Sequence, residues 1–325
     1  MKAWEVFLTV YLILAIGFIL LIKGADILVE GASSLARKFN VTDLVIGLTI
    51  VAFGTSAPEL FVNVISSIKG NSAIAIGNVM GSNVANILLG LGFASLVRPL
   101  EVGKGTVWKE LPFLLLASLL LGFLANDMLF FKSSFSFIGR IDGVIFLIFF
   151  AGFMIYSFCI AGSSDIPEPI PGKSFTAFRS VVFILLGLAG LGLGGKLIVE
   201  SAVEIAGKLG MDEILVGLTV VAIGTSLPEI VTSIVAARKG KMGIAVGNIV
   251  GSNIFNILLV LGISAGIKPV PFYPDENVSM LMVVFTSFIL FITMFAGKKN
   301  KLDKWEGMVF LFLYSGYLGY LLFNR

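Results

Sequence analysis

The sequence holds no histidine, a single cysteine and few charges. Without an imidazole there is no histidine general base, no histidine proton relay, and no haem or zinc ligation through a ring nitrogen. The lone Cys159 excludes a disulfide framework within the chain and a cysteine metal cluster. Asp, Glu, Lys and Arg make up 13% of the 325 residues, where a soluble globular domain carries about 25%. Apolar residues fill the difference: 57% of the chain is hydrophobic, with 29 Phe and 37 Gly, and the mean hydropathy is +1.02. The net charge of +3 acquires meaning only through its placement on loops, and no nucleic-acid partner is implied.

The apolar residues gather into ten runs, at 4–30, 44–68, 74–97, 107–126, 140–161, 176–204, 214–237, 244–267, 278–296 and 304–323. Each is near the roughly 20 residues that cross a hydrocarbon core, and none alternates with the period of a barrel strand. The expected fold is therefore an all-α membrane protein with ten transmembrane helices, whose surrounding partner is the lipid bilayer. The first run is too long for a secretory signal, lacks a small-residue cleavage site and is read as mature structure. With the N-terminus outward, fourteen Lys and Arg fall on inner loops and seven outside. The positive-inside rule then predicts a multi-pass protein of the cell membrane with both termini outside.

Shifted by 170, residues 24–60 fall on 194–230 with 16 of 37 positions identical. Gly77–Gly92 falls on Gly247–Gly262 with 11 of 16 identical, and a weaker echo pairs Ile141-Asp142-Gly143 with Trp305-Glu306-Gly307. Each copy holds five runs, so the second must enter the membrane upside down. This predicts two inverted five-helix repeats, 1–161 and 176–325, with the polar, proline-bearing stretch 162–175 as a cytoplasmic linker. Inverted repeats place substrate sites near the midplane where the copies meet. A duplication kept for packing alone would favour apolar matches. Here Thr, Ser, Glu and Asn are matched in mid-span, where polar groups are costly.

The matched polar residues form two motifs. Gly54-Thr55-Ser56-Ala57-Pro58-Glu59 recurs as Gly224-Thr225-Ser226-Leu227-Pro228-Glu229. Pro58 and Pro228 lack an amide hydrogen and crowd the carbonyl four residues earlier, so each helix must kink or open. In lipid, freed carbonyls persist only where protein, water or an ion satisfies them. Hydroxyls from Thr and Ser and a carboxylate from Glu complete a set of hard oxygen ligands. Two such carboxylates match the double charge of calcium, which takes six to eight oxygens. A proline that merely kinks and a glutamate that snorkels would be a plainer explanation. Glu59 and Glu229 lie too deep for that, with no Lys or Arg in the same run beside them.

The second motif, Gly77 to Asn86, recurs as Gly247 to Asn256. Its glycines four apart let membrane helices approach closely. Ser82 and Asn86 share one helix face, as do Ser252 and Asn256, and can complete an oxygen cage. Asn78, Asn83 and their counterparts are expected to hydrogen-bond between helices.

Through GTSAPE with GNVMGSNVAN, and GTSLPE with GNIVGSNIFN, the sequence resembles the sodium/calcium exchanger family of the calcium/cation antiporter superfamily. The likeness covers nearly the whole chain. It implies an antiporter, not an enzyme, that exchanges several Na⁺ for one Ca²⁺ by alternating access; these ions are substrates, and no cofactor or obligate protein partner is implied. By resemblance, the calcium ligands match Thr55, Glu59, Thr225 and Glu229. Sodium ligands match Ser56, Ser82, Ser226 and Ser252, with backbone carbonyls near Ala52 and Ala222, while Asn86 and Asn256 line the centre. The family's first and sixth helices slide as gates, matching the 4–37 and 176–208 segments. Some relatives carry Asp where this chain has Asn256, so potassium coupling is disfavoured. The proton-coupled branch has Glu-His where Gly81-Ser82 and Gly251-Ser252 stand, which disfavours a Ca²⁺/H⁺ antiporter. A passive cation channel is the alternative from another class; an intramembrane enzyme fails because two matched carboxylates lack the unequal settings that acid–base chemistry needs.

Overall fold

The computed structural model describes residues 3–128, 135–161, 175–208, 222–296 and 299–323. The linker 162–175 lies almost wholly outside these residues, as do positions 214–221 of the seventh run. Helices dominate: α1 (Ala3–Lys38), the broken pair α2 (Asp43–Thr55) and α3 (Ala57–Ile68), and α4 (Ala73–Ala85, continuing to Val97). Next come α5 (Lys104–Leu124), α6 (Arg140–Ala161) and α7 (Ala177–Lys208). The second half closes with α8 (Ala222–Thr225), α9 (Leu227–Arg238), α10 (Met242–Ile267), α11 (Asn277–Thr293) and α12 (Lys304–Phe323). Among the described residues, eight helices are long and apolar enough to cross a membrane. The pair α2 and α3, bent by 45°, supplies a ninth candidate.

Local chemistry sets the helix ends. Asn40 takes a left-handed φ of 53° after α1, and Val41 N donates back to Ala36 O at 3.0 Å, which closes the orphaned carbonyls of the last turn. Gly70 and Gly240 end α3 and α9 in the same way, at φ 92° and 74°. The echo between Asp142 and Glu306 is a capping device. Asp142 Oδ2 accepts from Gly139 N and Glu306 Oε2 from Asp303 N, each at 2.7 Å. In this way both carboxylates satisfy an amide at the start of their helix.

Two short strand pairs, which the hydropathy pattern does not predict, tie the halves together. Strand β1 (Leu100–Glu101) pairs antiparallel with β4 (Lys301–Leu302), and β2 (Ser136–Ile138) with β3 (Val270–Phe272). Each joins a loop of the first half to a loop of the second.

Burial separates the helices into a frame and a centre. α10 is almost wholly buried and α4 largely so, whereas α1, α6, α7 and α12 expose much of their apolar surface. α1 and α7 lie against each other through glycines. A Cβ on Gly24 would sit 2.7 Å from Leu191 N, and one on Gly194 2.6 Å from Leu21 N. In the centre, a Cβ on Gly251 would meet Leu48 O at 2.7 Å and Ala52 Cβ at 2.7 Å; the glycines, expected to bring the third run to the second and the eighth to the seventh, here bring the eighth (α10) to the second (α2), across the halves. Gly251→Ala is therefore expected to push α10 off α2 and weaken calcium binding, read by calorimetric titration, without dissolving the fold.

Candidate cation site

α2 ends where the first motif begins. A π turn, Gly47–Val51, loosens the helix one turn before Ala52, a feature common at functional sites. Ser56 then leaves helical geometry at φ −85°, ψ 3°, and α3 starts with Pro58 in its first turn. The second copy repeats the break at Ser226, φ −84°, ψ −1°, with Pro228 in the first turn of α9. Glu59 and Glu229 thus sit in the first turns of α3 and α9, where the helix dipole favours negative charge. Both are fully buried.

Helices from the two halves interlock at this point. Ser56 Oγ donates to Glu229 Oε1 at 3.0 Å. Thr55 Oγ1 lies 3.4 Å from Ser252 Oγ and donates to Asn248 Oδ1 at 3.0 Å. Thr225 Oγ1 donates to Asn78 Oδ1 at 3.5 Å. Asn248 is itself pinned, because its Nδ2 donates to Glu229 O at 3.1 Å and to Ser233 Oγ at 3.0 Å. A hydroxyl whose proton is drawn off to an amide oxygen leaves its lone pairs for a cation. Asn248 and Asn78, expected only to join helices, thus also turn the two threonines. That role depends on register between helices and left no signal in the sequence beyond the recurring Asn.

On the same helices, α3, α4, α9 and α10, and at the break before α9, several buried oxygens have no hydrogen-bond partner among the described residues. Among them are Glu59 Oε1 and Oε2, Glu229 Oε2, Ser82 Oγ, Ser226 Oγ, Asn86 Oδ1 and Asn256 Oδ1. All three residue types, Glu, Ser and Asn, accept through oxygen, and burying such groups without compensation costs several kcal/mol each for the charged ones. No Lys or Arg forms an ion pair with Glu59 or Glu229 among the described residues. A buried set of oxygens with two carboxyl groups has the donor chemistry of a cation site.

Of the residues singled out from the sequence, the structure brings Ser56 to Glu229 and Thr55 to Ser252 across the halves; Glu59, Ser82, Asn86, Ser226 and Asn256 are buried, and Thr225 is half-buried. Asn86 opens a π turn in α4 (Asn86–Leu91), and Asn256 lies in its counterpart in α10 (Phe255–Val260). The two copies differ at the carbonyls. Ala52 O accepts from Ser56 N at 3.0 Å and lies 3.3 Å from Thr55 Oγ1, so while the one Thr55 hydroxyl proton goes to Asn248 Oδ1 this carbonyl keeps a lone pair. In the second copy Ser226 N donates to Ile223 O, at 3.1 Å.

Broken helices that bring buried carboxylates to a shared oxygen cluster define a multi-pass membrane transporter of cations. The family described as sodium/calcium exchanger protein matches residues 9–159 and 179–323, and the chain belongs to that family, which makes it a cation antiporter. It is 38% identical to the putative antiporter CaxA of Alkalimonas amylolytica, over 95% of this chain and 97% of the relative. It is 32% identical to the sodium/calcium exchanger MaX1 of Methanosarcina acetivorans, over 95% and 97%. The fold matches that of the sodium-calcium exchanger NCX_Mj soaked with 10 mM Na⁺ and zero Ca²⁺, with a TM-score of 0.81 and 32% identity, covering 95% of this chain and 98% of that one.

Proposed function

We propose that this antiporter exchanges Na⁺ for Ca²⁺ by alternating access, without potassium and with net movement of charge. The observation that carries the reading is the set of unpartnered buried oxygens around two carboxylates. One calcium ion neutralises both charges, and so do two sodium ions, with a third sodium leaving one positive charge to move. On the proposed assignment, Thr55, Glu59, Thr225 and Glu229 hold calcium. Ser56, Ser82, Ser226 and Ser252, with carbonyls near Ala52 and Ala222, take part in holding sodium. Two overlapping ligand sets on the same carboxylates make occupancy exclusive. Exclusive occupancy is what couples the two fluxes.

In this reading the chain forms ten spans in two inverted repeats, residues 1–161 and 176–325, in the cell membrane with both termini outside. The glycine-lined contact of α1 with α7, where backbone meets backbone at Gly24 and Gly194, suits two elements that slide together as gates. Asn rather than Asp at both Asn86 and Asn256 removes a titratable group from the centre and supports independence from potassium and protons.

Calorimetric titration of the purified protein tests this. Calcium binding is expected to weaken as sodium rises, with a dependence steeper than one-for-one, and to be indifferent to potassium. Calcium affinity unchanged by sodium but lowered by potassium would reject the assignment.

A further inference from the structure

An amide is a cation ligand only when it is turned the right way. Its Oδ1 attracts a cation, its Nδ2 carries two hydrogens and repels one, and the two ends are nearly equal in size. Asn86 and Asn256 are fully buried, and each leaves Oδ1 without a hydrogen-bond partner among the described residues. Something must prevent a half-turn that would point nitrogen at the ion.

The neighbouring pair, Asn83 and Asn253, does this through an ordered chain of bonds. Asn83 Nδ2 donates to the main-chain oxygen of Asn253 at 3.4 Å, and Asn253 Nδ2 to that of Asn83 at 3.1 Å. A main-chain carbonyl only accepts, so this reciprocal contact fixes which end of each amide faces it. The Oδ1 atoms of Asn83 and Asn253 are thereby left to accept from Asn256 Nδ2 at 3.3 Å and from Asn86 Nδ2 at 3.0 Å. Each of those contacts draws nitrogen away and leaves Oδ1 for the oxygen cluster. The bonds run crosswise: the second half's Asn253 orients the first half's Asn86, and the first half's Asn83 orients the second half's Asn256.

We infer that Asn83 and Asn253 are positioning residues for ion binding, each holding the opposite half's central asparagine with its oxygen toward the ion. Neither need touch the ion. The inference rests on the reading of the oxygen cluster as the transport site. It also explains why two polar residues buried to within 1% of full burial occupy the contact between α4 and α10, where apolar side chains would pack.

The test uses a carboxylate, which presents oxygen at either end and is insensitive to a half-turn. Asn253→Leu keeps the volume and removes both bonds. In full-length protein reconstituted in vesicles it is expected to raise the half-saturating calcium concentration about tenfold or more, the usual effect of losing an outer-shell partner, with a smaller change in maximal rate. Asn86→Asp in the same chain is expected to cancel that loss, so that N86D/N253L matches N86D alone. Asn83→Leu with Asn256→Asp should behave alike. A loss of equal size in both backgrounds overturns the inference, as does a double variant that fails to run as a single species in gel filtration, since the pair would then serve packing alone. If wild-type vesicles take up no calcium, the reading of the site itself fails and the inference goes with it. That outcome is distinct, because it appears before any variant is made.

Discussion

Glu59→Gln is expected to abolish calcium transport while making the ion-free protein harder to melt. Both effects come from one fact: Glu59 is fully buried with both carboxylate oxygens unpartnered among the described residues. A buried carboxylate without a counter-charge opposes the fold by several kcal/mol, and an amide of the same shape relieves that opposition. With calcium present the balance reverses, because a glutamine cannot match the ion's charge. The expected fall in calcium affinity is at least about 100-fold, or about 2.8 kcal/mol. Thermal melting with and without calcium reads both effects at once. Wild type should gain stability from calcium by mass action, and Glu59→Gln should start higher and gain nothing. Glu229→Gln should follow the same course less steeply in the ion-free state, because one of its oxygens already accepts from Ser56. A variant that melts lower than wild type without ions would show that Glu59 has a partner the account lacks.

The second large effect is expected at the contact of α1 and α7. A Cβ on Gly24 would lie 2.7 Å from Leu191 N, 2.8 Å from Gly187 O and 2.9 Å from Gly190 C. All three are backbone atoms of the facing helix, and backbone cannot rotate aside as a side chain can. Gly24→Val must therefore separate the two helices, at a cost of about 1–3 kcal/mol in stability. Transport should fall further than that cost suggests, at least about tenfold, if these helices slide as a unit. Gly192 on α7 provides the control. Among the described residues, nothing comes within 4 Å of a Cβ placed there, and Gly192→Ala is expected to leave transport unchanged and melting equal or slightly higher, since alanine favours a helix over glycine by up to about 1 kcal/mol. Equal behaviour of the two variants would show that the close contact does not matter.

Much of this architecture was legible in the chain because lipid is an exacting solvent. Runs of apolar residues fix where helices cross, and nine of the ten expected runs correspond to described helices or a broken pair. Pro58 and Pro228 announce the breaks, since a missing amide hydrogen has the same consequence in any helix. Thr55, Glu59 and their matches stood out because buried polar groups need a reason. What was not legible depends on which helix faces which. The π turns in α2, α4 and α10 carry no composition signal, because Gly47–Val51 and Asn86–Leu91 read as ordinary helix. Ala52 could be expected to aim its carbonyl at an ion, but not to take the Ser56 amide as well. The amides of Asn78, Asn83, Asn248 and Asn253 likewise acquire their roles only when the two halves are brought into register. The strand pairs at the loops have no period to detect, since each strand is two or three residues long.

On the proposed function, one oxygen cluster, shared by the two halves, is filled by sodium or by calcium and never fully by both. Calcium uptake into vesicles loaded with sodium measures it most directly. Uptake is expected when sodium is inside and potassium is absent, to stop when the sodium gradient is collapsed, and to disappear in Glu59→Gln. An interior positive potential should change its rate, as net charge movement worth about 2.3 kcal/mol per 100 mV requires. Calcium entry that continues at the same rate after the sodium gradient is collapsed would contradict the claim and mark the protein as a passive pore.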